Sequence, residues 1–233
     1  MSIKPKPYLV IAIDGACRRN GKPDCISSGG VFIEEYDGYN NLVGTSMLST
    51  FEAESTNQRG ELNALLTALN HIYNVGIPAQ IITDSEYMFN TMTKYWCLAW
   101  SDRGWLTASG DPVKNSDLWK QIYKVYCDCA DAKIEIMFYH IKGHCIPFGK
   151  VTANTLLSKD DTGMALLTEV YLKYDSVCNT SRVKELEAAN ALSERNNGYR
   201  LTKEYLRRFV VMNTMADAIA TKCVDLADSL MHR

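Results

Sequence analysis

A long apolar run is the first thing missing from this sequence. Its opening hydrophobic stretch, Tyr8-Leu-Val-Ile-Ala-Ile13, is far shorter than the roughly 20 residues a membrane-spanning helix needs, and it ends on an acid. The residues before it offer no small-residue cleavage site, which argues against a secretory signal. The expected location is therefore cytoplasmic, with no membrane contact, and the eight cysteines are expected as thiols. Paired C-x-x-C units are also missing. Cys127-x-Cys129 and His144-Cys145 lack zinc-site spacing, and cysteine is commonly a small buried hydrophobe. There is no excess of charge of one sign: a net charge of -2 gives no bulk attraction for a polyanion. Nucleic-acid binding would have to come from local patches of Lys and Arg. Internal repeats and low-complexity tracts are absent, which excludes solenoids and disordered linkers.

What is present is enough apolar material for one substantial core: 46% of 233 residues are hydrophobic. Tyr8–Ile13 reads as a buried strand ending at Asp14-Gly15, and Gly29–Glu35 and Leu42–Phe51 read as two more, joined through a turn at Asp37-Gly38. The period then changes. Leu62, Leu65, Leu66, Leu69, Ile72 and Tyr73 recur at helical spacing; Ser55 with Gln58, or Thr56 alone, would cap the start, and Gly76-Ile-Pro78 would close the end. Ala79–Thr83 is a short buried strand ending on Asp84, followed by a second helical stretch and a tryptophan-rich segment from Trp96 to Trp119. Asp117–Cys129 is helical in pattern and Lys133–Ile141 is strand-like. Beyond this alternation, helical patterns recur near 163–174 and 183–195, and a final helix after Thr202 aligns Ala216, Ile219, Ala220, Cys223, Leu226, Ala227 and Leu230.

Four acids occupy related places in this pattern. Asp14 and Asp84 follow buried strands; if those strands are parallel neighbours, both carboxylates stand at one edge of the sheet, where α/β proteins bind ligands. Glu61 lies one position before the apolar stripe of its helix, and Asp217 lies one after Ala216 in the last helix. Four gathered carboxylates need counter-charge, and Mg²⁺, an oxygen-seeking cation commonly completed by water and substrate phosphate, supplies it. Two such ions about 3.5–4 Å apart would suit an in-line displacement at phosphorus.

At these residues the chain resembles the type 1 ribonucleases H of the bacterial kind. The similar segments are Ile13-Asp-Gly-Ala-Cys-Arg-Arg-Asn20, Thr56-Asn-Gln-Arg-Gly-Glu61, Thr83-Asp-Ser-Glu-Tyr87, Arg103-Gly-Trp105, Pro112-Val-Lys-Asn-Ser-Asp-Leu-Trp119, Lys142-Gly-His144 and Asn213-x-x-x-Asp217. They are collinear over residues 8–144 and 213–225. The resemblance implies an α/β fold with a mixed five-stranded sheet, an antiparallel meander plus parallel strands, flanked by helices. It implies Asp14, Glu61, Asp84 and Asp217 as ligands for two Mg²⁺ ions, with Mn²⁺ as a substitute, and His144 as a helper in proton movement or product departure. The implied activity is endonucleolytic hydrolysis of the RNA strand of an RNA–DNA hybrid, leaving 5′-phosphate and 3′-hydroxyl ends.

On the same basis, Cys17, Asn20, Asn57 and Gln58 occupy minor-groove positions, where exposed 2′-hydroxyls distinguish RNA. Thr56 and Asn115 match two members of a pocket for DNA phosphate, while Glu54 stands where the family usually has Arg. Trp100 and Lys114 belong to the segment similar to the family's substrate-gripping protrusion, which here also carries Asp102, Asp111 and Asp117. The chief departure is the connection of about seventy residues between His144 and Asp217, far beyond ordinary loops. It reads as a helical insertion, 146–202, within a catalytic domain made of 1–145 and 203–233. The insertion is mixed in charge, which fits a solvated surface and leaves a lid or protein-docking role open. No oligomerisation motif is visible, so a monomer is expected. Two other readings remain: an inactive hybrid-binding module, which the presence of all four acids disfavours, and a nuclease of the same fold acting on DNA, which the Lys-Gly-His loop fits poorly.

Overall fold

The computed structural model describes residues 6–144 and 202–231, together with positions 168, 170 and 172. The chain opens with an antiparallel meander: β1 (Tyr8–Arg18), β2 (Ile26–Tyr36) and β3 (Leu42–Ala53). Then follow α1 (Asn57–Val75), β4 (Ala79–Thr83), α2 (Glu86–Thr93), α3 (Trp96–Asp102), α4 (Ser116–Asp131), β5 (Ile136–His140) and α5 (Lys203–Met231). The sheet order is β3-β2-β1-β4-β5, with β4 parallel to both β1 and β5. This is the mixed five-stranded sheet expected from the sequence. The expected insertion helices near 163–174 and 183–195 fall outside the described residues, apart from helical positions Thr168, Val170 and Leu172.

The inner strands read as near-continuous apolar runs because both faces of the sheet are covered. Alternation along β1 sends Leu9, Ile11 and Ile13 to a core shared with Leu62, Leu65 and Leu69 of α1 and with Trp119 and Ile122 of α4. It sends Val10 and Ala12 to the other face, where Phe209, Met212, Met215, Ala216 and Ile219 of α5 lie. Thr56 is the N-cap of α1, its Oγ1 accepting from the Arg59 N–H at 3.4 Å, and Gly76 closes the helix at φ 74°. Ser55 serves elsewhere: it is buried, and its hydroxyl donates to Glu52 while accepting from Ser27.

Two adjacent glycines in β2 set how closely the helices approach. A Cβ on Gly29 would run into the backbone of Gly60 and Ala64 in α1; one on Gly30 would run into that of Ala216 and Ala220 in α5. Side chains alternate across a strand, so the pair opens both faces at one level of the sheet. The helices carrying Glu61 and Asp217 are thereby seated directly on β2.

The structure revises two sequence expectations. β1 does not end at Asp14: its ladder with β4 stops at Ala12↔Ile82, but pairing with β2 carries the strand on to Arg18↔Ile26. Nor is the whole α5 stripe buried. Leu226, Leu230 and Met231 are exposed, because there the helix lies over edge strand β3 and bounds an open apolar groove of about 540 Å³ with Met47 and Phe51.

Candidate active site

Where β4 leaves β1, the sheet opens, and acids from four elements face that opening. Asp14 lies on β1 two residues past the last β1–β4 pair, and Asp84 follows β4 directly. Glu61 comes from the first turns of α1 and Asp217 from the middle of α5. Asp14 is almost fully buried, at 6% exposure. Its Oδ1 accepts the Gly15 N–H at 2.7 Å, while its Oδ2 is buried without a hydrogen-bond partner. Glu61 is held at both oxygens: Oε2 accepts from the Ser85 hydroxyl at 2.7 Å and Oε1 from the Asn57 amide at 3.2 Å.

The electrostatics record the convergence. Burial raises the Asp14 carboxyl well above the ordinary carboxylate range, and Asp84, Asp217 and Glu61 each push it further, outweighing the Gly15 N–H. Burial also raises Glu61, with Asp84 adding to the rise and Ser85 opposing it. Asp84 is raised by burial and by Asp217, against lowering by His144 and His140. Asp217, about seventy positions beyond His144, therefore returns to the acids gathered by the first half of the chain.

His144 ends the Lys142-Gly143-His144 turn. Its side chain is 79% exposed, and Nδ1 stands 3.8 Å from Asp217 Oδ2. Two supporting residues were not singled out from sequence. Ser85, inside a quoted motif, is the hydroxyl donor to Glu61. His140, at the end of β5, places Nε2 3.1 Å from the Asp84 carbonyl oxygen and tilts against Phe89. Asn213, one helical turn before Asp217, is buried with its Oδ1 unpartnered.

The candidate substrate residues divide in two. Cys17, Asn57, Gln58 and Thr56 gather where the end of β1 meets the start of α1, and Asn115 joins them by donating to Gln58 Oε1 at 3.1 Å. Asn57, expected at the minor groove, also gives its amide to Glu61. Asn20 is exposed in the β1–β2 loop. Glu54 is exposed, with φ 51°. No arginine takes over its place from the helix start, because Arg59 is held by Glu52 and Asp117. Lys114 is exposed beside Asn115, whereas Trp100 packs edge-on against Trp119, 5.8 Å between ring centroids. Arg18 and Arg19 are engaged by Asp225 and Asp228 near the end of α5.

The donor set is all oxygen, crowded with negative charge, and includes one buried oxygen with nothing to bind. That chemistry fits a hard divalent cation. Among the described residues no three acids, histidines or cysteines close into a ready-made cage. A small hard cation such as Mg²⁺ is typically held by one or two carboxylates, with water and substrate phosphate completing it.

A family model for ribonuclease H (RNase H) matches residues 6–159. The chain is 38% identical over 133 residues to the ribonuclease H of Paracoccus denitrificans, covering 56% of this chain and 77% of the relative. It is 35% identical over 153 residues to that of Alcanivorax borkumensis, covering 65% of this chain and 89% of the relative. Among solved structures it is similar to a type 1 RNase H described as having the type 2 active-site motif, with TM-score 0.50 and 26% identity over 61% of this chain and 66% of that one. The family match stops before α5, so the placement of Asp217 rests on the geometry above.

Proposed function

Since this chain belongs to the ribonuclease H family, metal-dependent enzymes that act on the RNA of RNA–DNA hybrids, we propose that Asp14, Glu61, Asp84 and Asp217 form its catalytic centre. The observation that carries the assignment is the buried Asp14 carboxylate, one oxygen unpartnered, its proton affinity raised by acids from three other elements. The four acids would hold two Mg²⁺ ions, or Mn²⁺ in their place. When bound, these cations would supply counter-charge, a water of lowered pKa and neutralisation of the charge that builds on the scissile phosphate. Ser85 and Asn57 hold the Glu61 carboxylate in one orientation. His140 anchors the turn that presents Asp84. His144, exposed beside Asp217, is free to take up or deliver a proton as the 3′ oxygen departs, leaving 5′-phosphate and 3′-hydroxyl ends.

Cys17, Asn20, Thr56, Asn57, Gln58 and Asn115 would face the hybrid from the end of β1, the β1–β2 loop, the start of α1 and the α4 N-cap, with Lys114 and Trp100 at the rim. Residues 146–202 form, in this reading, an insertion within one catalytic domain made of 1–145 and 203–233, and the protein works as a monomer. Among the described residues no helix is long and apolar enough to cross a membrane.

Parallel digestion of labelled RNA–DNA hybrid, double-stranded RNA and double-stranded DNA, with Mg²⁺ or Mn²⁺, tests the proposal. Only the hybrid's RNA strand should be cut, and Asp14→Asn or Asp217→Asn should lower kcat by at least about a thousandfold. Full activity in Asp217→Asn would remove α5 from the centre. Deleting 146–202 behind a short linker should preserve cleavage; its loss in a folded deletion variant would give the insertion a catalytic part.

A further inference from the structure

Cys17 and Cys25 lie eight positions apart, with their sulfurs at 2.8 Å. Cys17 pairs with Ser27 across the β1–β2 ladder, and Cys25 precedes Ser27 by two residues. Cys25 lies just before β2 begins, and its sulfur meets that of Cys17, which faces the start of α1. Cys25 is fully buried and Cys17 only partly so. The sulfurs are already inside ordinary non-bonded contact, and closing to the ~2.05 Å of a disulfide requires less than an ångström of movement.

The surroundings connect this pair to the proposed substrate face. The Asn57 N–H is directed at the Cys17 sulfur, and the Ser55 N–H donates to the Cys25 carbonyl at 3.0 Å. The thiols thus sit under the first turn of α1, which carries Asn57 and Gln58 and, one turn later, Glu61. The loop between them carries Arg19 and Asn20.

We propose that Cys17 and Cys25 are a modification site, oxidised reversibly to a disulfide by a low-molecular-weight disulfide, and that this bond weakens the grip on the hybrid. In the first step the Cys17 thiolate attacks the small disulfide, breaking its S–S bond and releasing one small thiol. The Cys25 thiolate then attacks Cys17 Sγ, forming the protein disulfide and releasing the second small thiol. Two electrons and two protons pass from the protein to the oxidant. Burial and the adjoining thiol push Cys17 up to about 12, so the first exchange is slow; the second joins sulfurs already in contact. Closure removes the Cys17 S–H donor and draws its sulfur away from the Asn57 N–H. The loss of one or two neutral hydrogen bonds corresponds to an affinity decrease of about threefold to tenfold.

The bond-forming half stands on sulfur geometry alone; the effect on the hybrid rests on the substrate reading above. The full chain is equilibrated with oxidised glutathione, alkylated and digested without reduction, and its peptides are mapped by mass spectrometry. A cross-linked pair carrying Cys17 and Cys25, lighter by two hydrogens and absent after dithiothreitol, is expected. In parallel, KM for hybrid cleavage should rise about threefold to tenfold with kcat changed less than about twofold, and dithiothreitol should reverse it. Cys25→Ala, which alters no group proposed to touch the hybrid, should keep its KM under oxidation. Absence of the cross-link after exhaustive oxidation overturns the site, and a cross-link with unchanged KM overturns its control of binding. A reduced enzyme that leaves hybrid intact would instead sink the substrate reading, while the peptide map still reports on the bond.

Discussion

Burial and three neighbouring carboxylates act on Asp14 in one direction, raising its proton affinity. The folded, metal-free protein therefore holds a proton there at pH values where the unfolded chain, near the ordinary 3.8, has released it. Stability is lost as pH climbs through that window, and the repulsion is fully present above the raised pKa. Metal-free thermal melts should thus show Tm falling as pH rises from 4 toward neutrality. Asp14→Asn should flatten that slope and gain about 0.5–2 kcal/mol at neutral pH while losing cleavage. With Mg²⁺ the order should reverse, because only the wild type gains from binding. A metal-free Asp14→Asn less stable than wild type at neutral pH would contradict this electrostatic account. At this scale the sequence was legible wherever local pattern positions a side chain: Asp84 follows a strand, Glu61 and Asp217 stand at stripe margins, and Asp14 stands where β1 parts from β4, although β1 itself runs on. It was silent on long-range supports. The Ser85–Glu61 bond spans 24 positions and the His140–Asp84 bond 56, and no spacing rule connects them.

Strands and helices were legible because hydrophobic period reports which face is buried, and Thr56, Gly76 and the Asp37 turn mark their ends. The reading failed where a neighbour ended. β1 outlasts its ladder with β4 because β2 still pairs with it, and the apolar far end of α5 is exposed because β3 is the sheet's edge. Close approach was not legible either, since two adjacent glycines in a strand do not announce which helices they admit. Gly30→Ala is the prediction that belongs here. The new methyl meets the backbone of Ala216 and Ala220, so α5 must move or β2 must bend. The expected cost is about 1–3 kcal/mol by urea denaturation. Cleavage should suffer beyond the stability loss, because Asp217 lies one residue from the displaced contact. A Gly30→Ala enzyme with full stability and activity would show that the approach is looser than drawn.

Over the whole molecule the net charge is only -2, and among the described residues several cations are matched by internal partners. Arg59 is shared by Glu52 and Asp117, Lys124 pairs with Asp128, Lys120 stands over the Trp105 ring, and Arg18 and Arg19 are taken by Asp225 and Asp228. Lys94, Arg103 and Lys114 are exposed along the α2–α4 segment. That segment can then neutralise few phosphates, and hybrid binding is expected to depend shallowly on salt. Titration from low to high KCl should give a log–log slope well short of the roughly eight or more ion contacts that would contradict it. Composition made this much legible; the partners of Arg18 and Arg19, more than two hundred positions away in sequence, were not. Those same latches explain how the chain tolerates so long a detour before its last acid. The strand bearing Asp14 and the helix bearing Asp217 are pinned to each other by a shared core, to which Val170 of the intervening stretch also contributes, and by two ion pairs. These contacts tie the two carboxylates together whatever their separation in sequence, and the entropy of closing so long a loop grows only slowly with its length.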